Sequence, residues 1–231
     1  GIEYLGEILY TSGAADLSSE VLQLKSMEAD VVIADSYVSD AILFTKTLNE
    51  QGYKPDMVIC KGNGFTEAAY LEGVGSLANG IVVATEFVVG AKGQEVTDKY
   101  AEKYGEDMNG HSAEAYTTAW VLIDAFKNIK SSPYRSEYIF HPESAGEKVE
   151  RETIRNELEA IKIDKSFSNG QEIILPYDTI AFEEDEFNGS PYLNQNLSAT
   201  LTVTQIQDEK YIPIWPNDIA AADLIYPAEY K

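Results

Sequence analysis

Three clusters of residues combine groups that can recognise a small molecule: Asp35-Ser36-Tyr37, Lys61-Gly62-Asn63-Gly64-Phe65 and Thr85-Glu86-Phe87. They bring hydroxyls, a carboxamide, an aromatic ring and backbone freed by glycine, a mixture that suits a small polar ligand with an apolar part. Each cluster follows a short apolar run, and in an open α/β sheet ligands bind outside the carboxyl ends of the strands. Taken singly, Tyr37 can merely cover the end of a sheet, and Gly62 and Gly64 can merely serve a tight turn. Taken together, the clusters point to a binding face.

Signatures of catalysis are missing from the sequence. Gly62-Asn63-Gly64-Phe65-Thr66-Glu67 begins like a dinucleotide fingerprint, but Glu67 stands where the third glycine belongs and would crowd a pyrophosphate. There is no Gly-x-Ser-x-Gly elbow, Walker sequence or Cys-x-x-Cys, and the two histidines, His111 and His141, are not in a metal-ligand pattern. No catalytic residue, metal or cofactor is expected. The run Glu183-Glu184-Asp185-Glu186 lacks the alternating ligands and glycine of a calcium loop and reads as a solvated loop.

The elements that must position the three clusters follow from periodicity. Val31–Ala34, Met57–Cys60 and Ile81–Ala84 are apolar throughout, as parallel strands covered on both faces require. Between the first two, Ser39 to Glu50 carries Ile42, Thr45 and Leu48 at helical spacing, with Ser39 as N-cap and Gly52 beyond its end. Thr66 caps a shorter helix containing Ala69, Leu71 and Val74, and Gly75 follows it. Upstream, Leu17, Val21, Leu24 and Met27 form another helical stripe, preceded by an expected strand at Glu7–Tyr10. The order β-α-β-α-β-α-β implies a doubly wound parallel sheet.

Beyond Thr85 the pattern turns to longer helices. Val96, Tyr100 and Tyr104 share one face of a helix that stops at Gly105. Ala115, Ala119, Leu122, Phe126 and Ile129 run along a second helix, with Tyr116, Trp120 and Ile123 on an adjacent face, so burial from two sides is expected. After a Pro/Ser/Tyr-rich stretch from Ser131 to Ser144, Ile154, Leu158 and Ile161 define a third. Leu201–Ile206 and Tyr211–Trp215, around Asp208-Glu209-Lys210, read as an antiparallel hairpin.

Composition narrows the partners. Against 17 Lys+Arg stand 39 Asp+Glu, a formal charge of -22 that would repel nucleic acid or an anionic membrane. The chain is still 44% hydrophobic and 11% aromatic, which is a folded composition. The single cysteine, Cys60, lies in an apolar run and is expected to be a core thiol. The N-terminal Gly-Ile-Glu-Tyr-Leu-Gly has no basic region or cleavage site of a signal peptide.

The segment Ala15–Lys25, followed by Ala29–Ala34 and Ser36–Ala41, resembles the second lobe of type I periplasmic binding proteins, and most closely the leucine/isoleucine/valine-binding group. Gly62-Asn63-Gly64-Phe65, Tyr104-Gly105, Gln205–Tyr211 and Ile214-Trp215-Pro216 fit the same family in the same order. The resemblance implies two α/β lobes, each a doubly wound parallel sheet, closing on a ligand across a hinge. Residues 1–85 and 198–215 then form the second lobe, 90–180 return to the first, and 85–90 and 182–197 are hinge crossings. The chain departs from the family at its beginning, where the N-terminal half of the protein, including a central strand of the second lobe, is not present.

Tyr37 fits the tyrosine that the second lobe contributes to the ligand, with Ser36, Asn63, Gly64 and Phe65 beside it. The position of the family's acidic group falls near Gly62 and Asn63, neither acidic. An ammonium would turn to another carboxylate, such as Glu86 or Glu114, or the ligand is a related small acid or amide. The function implied is an extracytoplasmic solute-binding protein, in the periplasm or lipid-anchored at the cell surface. It would hand an amino acid or similar ligand to the membrane permease of an ABC importer. A sensor ectodomain on the same fold is the alternative, and an enzyme is disfavoured.

Overall fold

The computed structural model describes residues 1–61, 63–131 and 151–230. Gly62, His141 and the Pro/Ser/Tyr-rich stretch beyond Ser131 lie outside the described residues. In chain order the elements are α1 (Ser18–Ser26), β1 (Val31–Asp35), α2 (Val38–Glu50), β2 (Met57–Lys61), α3 (Ala68–Val74), β3 (Val82–Thr85), α4 (Gln94–Tyr104) and α5 (Gly110–Ser131). There follow α6 (Arg151–Ala160), β4 (Lys162–Asp164), β5 (Thr179–Ala181), β6 (Glu183–Phe187), β7 (Ser190–Gln195), β8 (Thr202–Gln207) and β9 (Lys210–Trp215). They divide into two compact units, Gly1–Val88 with Leu201–Lys231, and Val89–Thr200.

The first unit is built on a sheet of order β1-β2-β3-β8-β9. The three apolar runs pair in parallel, Val32 beside Val58 and Cys60 beside Val83. The sheet then turns mixed: β8 runs antiparallel to β3, with Val82 opposite Gln205, and β9 antiparallel to β8. The β8–β9 turn is two residues, Asp208 and Glu209, both at positive φ (48° and 60°), the geometry that matches the twist of a hairpin. The core beneath the sheet holds Val21, Phe44, Val58, Phe65, Tyr70 and Ile206. Cys60 lies in it as expected, and burial pushes its thiol up.

α2 ends where its glycine predicts. Gly52, at φ 58°, donates its N–H to Asn49, and Tyr53 donates to Leu48, two bonds that satisfy the last carbonyls of the helix. Its beginning differs from expectation. Tyr37, not Ser39, stands at the cap position, in extended conformation, and its carbonyl accepts the first helical bond from Ala41 at 2.8 Å. Glu67 likewise replaces Thr66 at the cap of α3. α2 begins two residues before, and α3 one residue after, the position that side-chain chemistry alone would choose, because the strand-end turn fixes where helical backbone can start.

Three further expectations are corrected. Glu7–Tyr10 forms no strand, and Leu9 is 82% exposed; a strand exists through its ladder, and no described element pairs with this segment. β1 is not covered on both faces. It stands at the sheet edge and leaves Ile33 77% exposed. Glu183–Glu186 lies in β6, not in a loop, although every residue of the β6–β7 hairpin is exposed.

In the second unit α4 ends at Gly105, with Tyr100 and Tyr104 rings 4.6 Å apart on one face. α5 buries Ala113, Thr117, Val121, Ala125 and Ile129. The stripe expected to be buried differs: Ala115, Ala119, Leu122, Ile123 and Phe126 face solvent among the described residues, so α5 is covered from one side. Trp120 stacks on Phe167 with centroids 6.0 Å apart. Buried Asp124 accepts the Ser168 N–H at 2.8 Å and the Ser168 hydroxyl, which ties α5 to the loop after β4.

Candidate functional site

Because β1, β2 and β3 are parallel neighbours, the segments that follow them leave one edge of one sheet. Ser36 and Tyr37 occupy the β1–α2 junction. The next junction carries the 3-10 turn Asn63–Phe65, and Glu86 and Phe87 follow β3.

The first two junctions are joined. The Gly64 N–H donates to the Ser36 carbonyl at 3.1 Å. A Cβ on residue 64 would lie 2.3 Å from that oxygen and 2.4 Å from the Tyr37 carbonyl carbon, both backbone atoms that cannot swing aside. Gly64 is thus required by close approach of two chain segments. The contact leaves the Tyr37 side chain 68% exposed at the head of α2, with Ser36 half-buried beside it.

Phe65, expected among the ligand contacts, is fully buried and packs edge-on against Tyr70, centroids 5.2 Å apart. It is the floor of the turn. Tyr70 is fixed by a 2.8 Å hydrogen bond with Thr45 of α2, and the Phe65 carbonyl accepts the hydroxyl of Tyr211 on β9. Sequence reading missed both tyrosines, since their partners are 25 and 146 residues away.

At the third strand end, buried Thr85 donates its hydroxyl to the Phe87 carbonyl at 3.0 Å and so pins the bend that carries half-buried Glu86. Glu114 lies in the other unit, exposed near the start of α5, with His111 Nδ1 3.8 Å from its carboxylate. The structure therefore gathers Ser36, Tyr37, Asn63, Gly64 and Phe65 at two joined junctions and puts Glu86 at the end of the adjacent strand. Glu114 belongs to a separate body.

Asp40, also missed, anchors the face from below. Three residues past Tyr37 in the first turn of α2, it is buried and accepts the Ser12 hydroxyl at 2.9 Å and the Gly13 N–H at 3.0 Å. An acidic residue in a helix's first turn was the available signal.

Burial first, and the neighbouring Cys60 second, push the phenols of Tyr70 and Tyr211 far above their ordinary value. A raised acid favours its neutral form in the fold. Its contribution is complete below the unfolded value of about 10 and is lost as pH rises toward the folded one. Spectrophotometric titration should therefore show no tyrosinate from Tyr70 or Tyr211 until the fold is lost. Replacing both by Phe should leave the native part of the curve unchanged; a smaller native amplitude would refute this.

The sequence profile of the periplasmic binding protein family matches residues 1–181. Over 228 residues the chain is 28% identical to Leu/Ile/Val-binding protein homolog 7 of Brucella suis, covering 94% of this chain and 49% of that protein. It is 31% identical over 223 residues to homolog 8 of Brucella abortus, covering 93% and 48%. The chain thus spans about half the length of the curated relatives it matches.

Among solved structures, the leucine-, isoleucine-, valine-, threonine- and alanine-binding protein of Brucella ovis, in a closed conformation, aligns with a TM-score of 0.66 at 15% identity, over 97% of this chain and 53% of that one. A leucine-binding protein of Thermotoga maritima gives 0.61 at 17%, over 89% and 49%. A branched-chain amino acid binding protein of Streptococcus pneumoniae, solved with isoleucine, gives 0.58 at 16%, over 94% and 51%. At such identities these likenesses speak for the fold, and together with the profile match they lead to one assignment. The chain belongs to the periplasmic binding protein family and has its type I fold.

Proposed function

We propose that this chain is the ligand-binding C-terminal part of a solute receptor that delivers an amino acid or similar small polar ligand to the permease of an ABC importer. The observation that carries the reading is the exposed Tyr37 held on two joined strand ends, in a chain whose curated relatives are named for binding leucine, isoleucine and valine. The family is one of non-enzymatic transport or receptor proteins that work outside the cytoplasm. Among the described residues no helix is long and apolar enough to cross a membrane.

In this reading Tyr37 and Ser36 offer hydroxyls to the ligand, Asn63 and Gly64 offer the turn beside them, and Phe65 supports that turn from beneath. Glu86 or Glu114 receives an ammonium group. Residues 1–85 with 198–215 act as one lobe and 90–180 as part of the other, with crossings at 85–90 and 182–197. The remaining ligand contacts come from polypeptide that the relatives have beyond this chain's span. The protein acts in the periplasm or from a lipid anchor at the cell surface.

In the full-length protein, Tyr37→Ala should weaken binding of leucine, isoleucine or valine by roughly 1–3 kcal/mol, the cost of leaving a buried polar group without its partner. Isothermal calorimetry measures it. Affinity and enthalpy unchanged by the substitution would remove this loop from the site, and no binding of any of the three would remove the ligand class.

A further inference from the structure

We propose that Tyr211 is a positioning residue of the strand-end face: its hydroxyl, reaching from β9, holds the Asn63–Phe65 turn at the height where Gly64 meets Ser36 and Tyr37. The proposal rests on reading that face as the binding face.

The turn is held at two points. On one side the Gly64 N–H is bonded to the Ser36 carbonyl at 3.1 Å, in an approach so close that no side chain fits on residue 64. On the other side the Phe65 carbonyl accepts the Tyr211 hydroxyl, while the Phe65 ring, fully buried, is wedged against Tyr70. A shift of the turn in either direction breaks one contact or compresses the other. The carbonyl sits in the core, and a buried acceptor that loses its donor moves toward another one. A displaced Phe65 carries Gly64 with it, and Gly64 lies directly against the backbone of Ser36 and Tyr37. Tyr37 heads α2 with its carbonyl already committed to Ala41, so displacement there re-aims its exposed ring. The Tyr211 hydroxyl is bonded to the Phe65 carbonyl, so its influence on the face passes through Phe65 and Gly64.

Tyr70 provides the contrast. Fully buried where Tyr211 is half-buried, its hydroxyl bonds Thr45 of α2 and not the turn backbone. Tyr211→Phe and Tyr70→Phe each delete one hydrogen-bonded hydroxyl and keep the ring, so a general loss of core stability appears in both. Hydrogen–deuterium exchange of the Gly64 amide separates them. Tyr211→Phe should speed that exchange by about tenfold or more through local opening, and Tyr70→Phe should leave it within about twofold of the parent. In full-length protein that binds leucine, isoleucine or valine, Tyr211→Phe should also weaken affinity severalfold, with Tyr70→Phe near neutral. Unchanged Gly64 exchange in Tyr211→Phe, equal acceleration in both variants, or faster exchange with intact affinity would each overturn the proposal. If the parent protein binds none of the three amino acids, that ligand class is removed, and the exchange comparison by itself decides whether Tyr211 holds the turn.

Discussion

Replacing Phe65 by alanine is expected to cost about 3–5 kcal/mol of stability, the range for deleting a fully buried aromatic ring. The ring has no solvent exposure and is held edge-on by Tyr70, so its removal leaves a cavity that the fixed Tyr70–Thr45 pair prevents from closing. Tyr37→Ala, at a side chain 68% exposed, should change stability by no more than about 0.5 kcal/mol. Urea unfolding followed by circular dichroism distinguishes the two aromatics. If Phe65→Ala left the midpoint where it was, the ring would have to be a surface group and the account of the turn's floor would fall. The contrast also separates support from contact, since only Tyr37 should affect binding without affecting the fold.

The second large effect concerns association. Among the described residues β1 pairs with β2 alone, and Ile33 and Val31 stand exposed on its face. In the other unit, among the described residues, Leu122, Ile123 and Phe126 of α5 are exposed beside Ala115 and Ala119. An unpaired edge next to β-branched side chains recruits another strand, and contiguous apolar surface on a helix recruits another face. The 231-residue chain on its own is therefore expected to self-associate or to retain a covering polypeptide. Light scattering would show the first, and mass spectrometry under denaturing conditions the second. Ile33→Lys together with Phe126→Lys should shift the distribution strongly toward monomer, because each places a charge where an apolar contact would form. A monodisperse, cooperatively unfolding monomer of the unsubstituted chain would show that these surfaces are at rest in water.

The sequence by itself determined what depends on local backbone geometry. β1, β2 and β3 fall within one residue of the apolar runs, because uninterrupted β-branched stretches fix extended backbone whatever lies beside them. α2 closes at Gly52 and α4 at Gly105 for the equally local reason that the residue after a helix adopts positive φ most readily as glycine. The hairpin at Thr202–Trp215 was legible from two apolar runs around a short polar turn.

Tertiary structure decided the rest, because burial and pairing depend on partners remote in the chain. β8 joins the sheet against β3, opposite residues more than a hundred positions earlier in sequence, a choice no local pattern encodes. Glu7–Tyr10 carries strand-like residues and stays irregular, for want of a ladder. On α5, helical spacing identified two apolar stripes, but packing buried another face, Ala113, Thr117, Val121 and Ala125, and of the expected residues buried Ile129. Phe65 and Tyr37 are both aromatic residues just after a strand, and one became core while the other faces water. That outcome turns on Gly64 fitting against Ser36 and on Tyr211 reaching across from β9, contacts that exist only once the sheet has formed.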